Sequence, residues 1–199
     1  MSDILNQLLG QLGPQGIQAI SKQIGADDSQ TSNALGGVIP TLLGAMANNS
    51  KSQSGANGLL GALDSDHDGS ILDDVAGFVG NFNQGPGEGI LKHVLGGNQP
   101  VVESGLSAKT GLNSSQISNL LKIAAPLIMG YLGRQKRASN NQGFDIGGIA
   151  DLLGGMTRES DQSTGIDLGD ILNVVGGLTG NQTQRSGGIG GLLGKLFGR

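Results

Sequence analysis

The chain has 199 residues, 38 of them Gly, with 3% aromatic and 14% charged side chains and a formal net charge of −4. With no Trp, one Tyr and four Phe the core must be aliphatic, and the glycine load argues for one packed domain plus a Gly-rich remainder. An acidic chain lacks the basic face that nucleic-acid binding needs, and a chain with no Cys has no disulfides, thiolate metal sites or thiol chemistry.

Residues 4–46 recur without a gap at residues 90–132, an offset of 86, with 14 identities in 43 positions. These include Pro14/Pro100, Gly25/Gly111, Ser29/Ser115, Gln30/Gln116, Leu35/Leu121 and Pro40/Pro126. Apolar partners such as Ile20/Leu106 and Leu42/Ile128 keep their character, as expected of one helical unit used twice.

Each copy reads as three helical pieces. In the first, Ser2 or Asp3 caps a short helix whose Ile4, Leu5, Leu8, Leu9 and Leu12 share a face. Gly13-Pro14 breaks it, Pro14 starts a second helix through Ile17, Ile20 and Ile24, and Gly25 ends that one. Asp27 and Gln30, like Asn113 and Gln116, have the spacing of a capping box. The third helices, 28–47 and 114–133, carry the densest apolar faces and are expected to pack on each other. Each holds an interior proline, Pro40 or Pro126, which implies a bend.

Between the copies, a polar linker (Asn48 to Gly55) leads into an insert over 58–81: an apolar turn (Leu59, Leu60, Leu63), an acidic loop and a helix through Ile71, Leu72, Val75, Phe78 and Val79. The acidic loop, Asp64-Ser65-Asp66-His67-Asp68-Gly69-Ser70, matches D-x-D-x-D-G, the first half of an EF-hand-type loop. Alternate aspartates in a tight curl aim oxygens inward, Gly69 permits the turn, and the Ser70 carbonyl adds a ligand suited to hard Ca²⁺. The twelfth loop position, normally a bidentate Glu, is Val75; Asp73 and Asp74 could instead close a shortened loop. The candidate ligands are therefore Asp64, Asp66, Asp68, Ser70, Asp73 and Asp74. Weak Ca²⁺ binding and a solvated acidic turn with a helix cap are the two readings of this segment. His67 occupies an outward-facing loop position and is not among the ligands.

After the second copy, Arg134, Lys136 and Arg137 complement the dipole at a helix C-terminus. Residues 136–199 form a Gly-rich, partly flexible tail of short amphipathic pieces at 145–156, 166–178 and 187–198. Each is near or below the roughly 12–15 residues at which isolated helices become marginal. The last piece, Ile189 to Arg199, is basic and apolar and suits docking on a protein or a membrane surface.

Catalytic patterns are missing. His67 and His93 have no zinc or triad spacing, there is no nucleophile elbow and no Walker A run. No secretory signal is predicted from Met1-Ser2-Asp3-Ile4, and the apolar run Ile117–Leu132 is too short to span a bilayer. The expectation is a cytoplasmic protein, with an extracellular one exported by an unconventional route as the variant.

The two N/D-x-S-Q-x-S-N-x-L segments, Asp27 to Leu35 and Asn113 to Leu121, stand with Leu63 to Asp74 (L-D-x-D-x-D-G-S-I-L-D-D). In these the chain resembles the YidB-like bacterial proteins over roughly residues 1–135. That resemblance implies an all-helical bacterial domain of unestablished activity, with no catalytic residues to carry over. The expected fold is an all-α bundle built from an internal duplication. The expected role is a non-enzymatic scaffold or interaction protein that self-associates and carries a weak EF-hand-like calcium loop. A membrane-surface protein using 187–199 and an enzyme are the alternatives.

Overall fold

A computed structural model describes residues 3–65, 69–82 and 84–138. These are helical, with seven α-helices and no strand among the described residues: α1 (Asp3–Ile24), α2 (Asp28–Asn49), α3 (Gln53–Ser65), α4 (Val75–Gly80), α5 (Gln84–Val94), α6 (Gln99–Thr110) and α7 (Ser114–Ala138). Single 3₁₀ turns at Ser70–Leu72 and Gly96–Asn98 precede α4 and α6. The Gly-rich tail lies outside the described residues apart from its first three positions, which complete the last turn of α7.

Local chemistry sets the boundaries. Gly13, at φ 60° and ψ 176°, leaves helical geometry and kinks α1 before Pro14. Gly25 (φ 69°) and Gly111 (φ 75°) adopt the left-handed conformation that ends a helix without a Cβ penalty. The Ala26 amide then bonds back to the Ser21 carbonyl at 3.0 Å, and that of Gly111 to Ser107 at 3.1 Å. At the start of α2 the Gln30 amide donates to Asp27 Oδ1 at 2.7 Å. At the start of α7 the box is reciprocal: Gln116 N–H to Asn113 Oδ1 at 2.9 Å, and Asn113 N–H to Gln116 Oε1 at 3.0 Å. Asp27, bonded by Gln30 and by Ser29 Oγ, has its carboxyl held below the usual carboxylate range by those bonds. The prolines lie inside α2 and α7, as expected. Beside the first, Thr41 Oγ1 donates to the Gly37 carbonyl at 2.8 Å.

Packing centres on α7, which touches α1, α2, α3, α5, α6 and the first 3₁₀ turn. From Ile123 to Gly133 every residue of α7 is buried, including Tyr131. The two third helices do pack on each other, and each also meets first-and-second-piece helices of the other copy: α2 meets α5 and α6, and α7 meets α1. Two crossings depend on glycine. A Cβ on Gly87 of α5 would lie 2.0 Å from the Lys122 carbonyl oxygen of α7, and one on Gly130 of α7 would lie 2.4 Å from Ile71. The core is aliphatic, as the composition required.

The segment between the copies differs from its reading as a polar linker and apolar turn. α2 runs on to Asn49 and α3 begins at Gln53, so only three residues separate them. Ser52 Oγ accepts the Gly55 amide at 3.1 Å, Ala56 is fully buried and Leu63 is 2% exposed. Apolar contact with α2 and α7 stabilises a helix that its Ser, Asn and Gly content alone would not. The helix expected through Ile71 and Val79 is instead a 3₁₀ turn followed, after Asp73-Asp74, by the short α4 packed on α1.

Candidate functional site

The acidic loop joins the end of α3 to the first 3₁₀ turn. Asp66, His67 and Asp68 lie outside the described residues, as does the side chain of Asp64, whose backbone is in the last turn of α3. The far side of the loop is built in detail. Gly69, at φ 85°, is buried against α7; a Cβ there would come within 2.9 Å of the Gly130 carbonyl oxygen and 3.0 Å of Arg134 Cβ. The two backbones approach closely because both residues are glycine.

Arg134 fastens this approach. Its Nη2 donates to the Gly69 carbonyl at 2.7 Å and to Asp73 Oδ1 at 2.6 Å, so one guanidinium nitrogen holds both ends of the 3₁₀ turn to α7. The Asp73–Arg134 pair is open to solvent, at 72% and 40% side-chain exposure, and such pairs contribute about 0–1 kcal/mol. The bond to a carbonyl of a buried residue adds position rather than charge neutralisation.

The other candidate ligands have structural partners too. The Ser70 carbonyl accepts the Asp73 amide at 2.9 Å. Asp74 Oδ1 accepts the Gly77 amide at 2.8 Å and caps α4. Asp73 and Asp74 point to different tasks, one to α7 and one to its own helix. Among the described residues no three acidic or histidine side chains converge. His93, on α5, places Nδ1 3.0 Å from the Gly89 carbonyl, while its own carbonyl accepts from Asn49 Nδ2 at 3.0 Å.

Sequence reading passed over two participants. The sequence places Arg134 only at a helix C-terminus, and its partners lie 65 and 61 residues away, where no local pattern reveals them. Gly130 repeats Gly44, which marked it as part of the duplication but not as the seat of the loop. A third feature joins the copies nearby: Tyr131 donates its hydroxyl to Gln7 Oε1 at 2.6 Å and accepts from Gln135 Nε2 at 2.8 Å.

Fold and site together define an all-helical bundle in which a short acidic insert is fastened to the central helix. Residues 6–135 match the family described as "Bacterial protein of unknown function (DUF937)", and the chain belongs to that family. No curated protein and no solved structure matches the chain. No helix among the described residues is long and apolar enough to cross a membrane.

Proposed function

We propose that the protein is a non-enzymatic helical scaffold, assembling with itself or with another protein, whose acidic loop holds Ca²⁺ weakly. The observation that carries this reading is the Arg134 fastening. It ties the Gly69 end of the D-x-D-x-D-G segment to α7, the helix that packs on α1, α2, α3, α5 and α6. The Gly69–Asp73 end of the segment is thereby coupled to the core.

The donor set is all oxygen, the chemistry of a hard cation. Asp64, Asp66 and Asp68 with the Ser70 carbonyl would form the inner ring. Asp73 closes the ring more readily than Asp74, because its solvent-exposed pair is cheap to give up whereas Asp74 holds a helix terminus. With no acid at the twelfth position, Kd falls at about 10⁻⁵–10⁻³ M. The coincidence of Gly25 with Gly111, of the two caps and of the two interior prolines at an offset of 86 supports descent of the bundle from a duplicated unit. Repetition of a whole packing unit favours a scaffold over a catalytic site, which needs singular residues.

Calorimetry and thermal melts in millimolar Ca²⁺ test the ion, with Asp66→Ala and Asp68→Ala as controls. Binding heat and a raised Tm in the parent, both lost in the variants, are expected. No heat and no shift would leave the segment an acidic helix cap. Light scattering of the full chain against residues 1–138 tests assembly and the part the tail plays in it. A monomer in both cases would sink the scaffold reading.

A further inference from the structure

No phenylalanine enters the buried core of the described residues. Both described phenylalanines, Phe78 and Phe82, are left half-buried. They stand four residues apart on one flank of α4 and its exit. Their ring centroids are 5.9 Å apart with the planes at 77°, the edge-to-face arrangement that aromatic rings prefer. The inner face of the same helix is already used: Val75 and Val79 are buried, and Val75 packs on Gly16 of α1. Single half-exposed apolar side chains are ordinary surface, whereas two large rings held together form a contiguous apolar patch.

The path of the chain and its charge say what covers this patch. Arg134 of α7 holds Asp73, two residues before α4, and Ala138 lies one turn beyond Arg134, about 6 Å along the helix axis. Residues 139–199 therefore continue from a point near the start of α4. An extended chain advances about 3.3–3.6 Å per residue, so the stretch 139–188 sets no limit on reach. Charge then selects among the apolar pieces that follow. Residues 58–82 carry five aspartates and no Lys or Arg, the three cations of 134–138 answer only part of that charge, and Asp73 and Asp74 are exposed. The piece 145–156 carries Asp145 and Asp151, and 166–178 carries Asp167 and Asp170, with no cation in either. The segment 189–199 carries Lys195 and Arg199 and no acid, beside Leu192, Leu193, Leu196 and Phe197.

We propose that residues 189–199 dock on the Phe78–Phe82 face of their own chain. The leucines and Phe197 cover the two rings, and Lys195 and Arg199 lie towards the carboxylates of Asp73 and Asp74. Tethering makes the encounter intramolecular, which raises the local concentration of this segment above that of a free competitor. A peptide suited to a protein or membrane surface is thereby held by its own bundle until something displaces it. The docking goes beyond the calcium and scaffold readings and stands or falls without them.

In the full-length chain Phe197 is replaced by the photoreactive p-benzoylphenylalanine. An equal mixture of light- and heavy-isotope chains is irradiated, digested and mapped. Adducts to residues 71–82 that join peptides of one isotope are expected. Lys195→Glu with Arg199→Glu should lower their yield by about three- to tenfold, and Phe82→Ala should lower it as well. The charge reversal alters no residue of the bundle, so an adduct lost with it reads docking rather than folding. Adducts that mix the isotopes make a second copy the occupant and overturn docking within the chain. Adducts elsewhere, adducts indifferent to the charge reversal, or no adducts overturn the proposal outright. With phosphatidylglycerol vesicles present, lipid adducts that replace those on 71–82 assign the segment to a membrane surface and overturn it equally.

Discussion

Helices α2 and α7 begin from the same sequence plan and end in different surroundings. Both start at a side-chain cap, both hold an interior proline, and every buried position of α2 corresponds to a buried position of α7 at the offset of 86. Yet α2 keeps a partly open face, whereas α7 is enclosed over Ile123–Gly133. Side-chain volumes diverge accordingly. Ala34, Gly37 and Thr41 stand where α7 has Leu120, Ile123 and Leu127, while Val38 and Ile39 stand where it has Ala124 and Ala125. Large on one helix answers small at the equivalent place on the other, so volume is shared between the copies without overfilling the core. The two helices share a pattern of buried positions and have divided the packing volume between them.

The largest test of this contrast truncates the identical leucines. Leu35→Ala and Leu121→Ala should each cost about 2–5 kcal/mol in urea unfolding, with Leu121 the more expensive because α7 has neighbours on all sides. Equal costs would break the contrast. Next, Gly87→Ala forces a Cβ onto the Lys122 carbonyl and should destabilise by about 1–3 kcal/mol. Gly36→Ala, with open space around it on α2, should stabilise by about 0.5–1 kcal/mol through helix propensity. Thermal melts of the pair would read opposite signs.

Smaller effects sharpen the picture. Asn113→Ala removes the reciprocal cap of α7 and should cost about 1 kcal/mol. Thr31, fully buried with an unpartnered hydroxyl, stands where the second copy has Ile117. Thr31→Val should gain up to about 1 kcal/mol by removing an unsatisfied polar group; a loss would reveal a partner for that oxygen. The smallest effect is on pH. The carboxyl of Asp27 is lowered in the fold, so its contribution is present above the usual value of 3.8 and is lost as pH falls through the lowered one. Asp27→Asn should flatten the acid limb of the stability profile below pH 3.8, leaving neutral stability nearly unchanged.

What was legible in the sequence is what is set within a few residues. Gly25 and Gly111, the Asp27 and Asn113 caps and both prolines sit where local chemistry put them. The helix over Gln53–Ser65 was hidden because Ser, Asn and Gly disguise a segment whose helicity comes from burying Ala56 and Leu63. The Gly69–Gly130 approach and the double grip of Arg134 were hidden for another reason. A glycine that admits a neighbouring backbone looks, in one dimension, like any of the other 37.

Tyr131 has a consequence for how this molecule can be observed. It is the only tyrosine, there is no tryptophan, and its ring is 1% exposed with its hydroxyl bonded to Gln7 on α1 and Gln135 on α7. Near-ultraviolet light above the phenylalanine bands is thus absorbed by one ring, at the seam between the two halves. Its circular dichroism is a native optical gauge of whether that seam is closed, and it needs no engineered label.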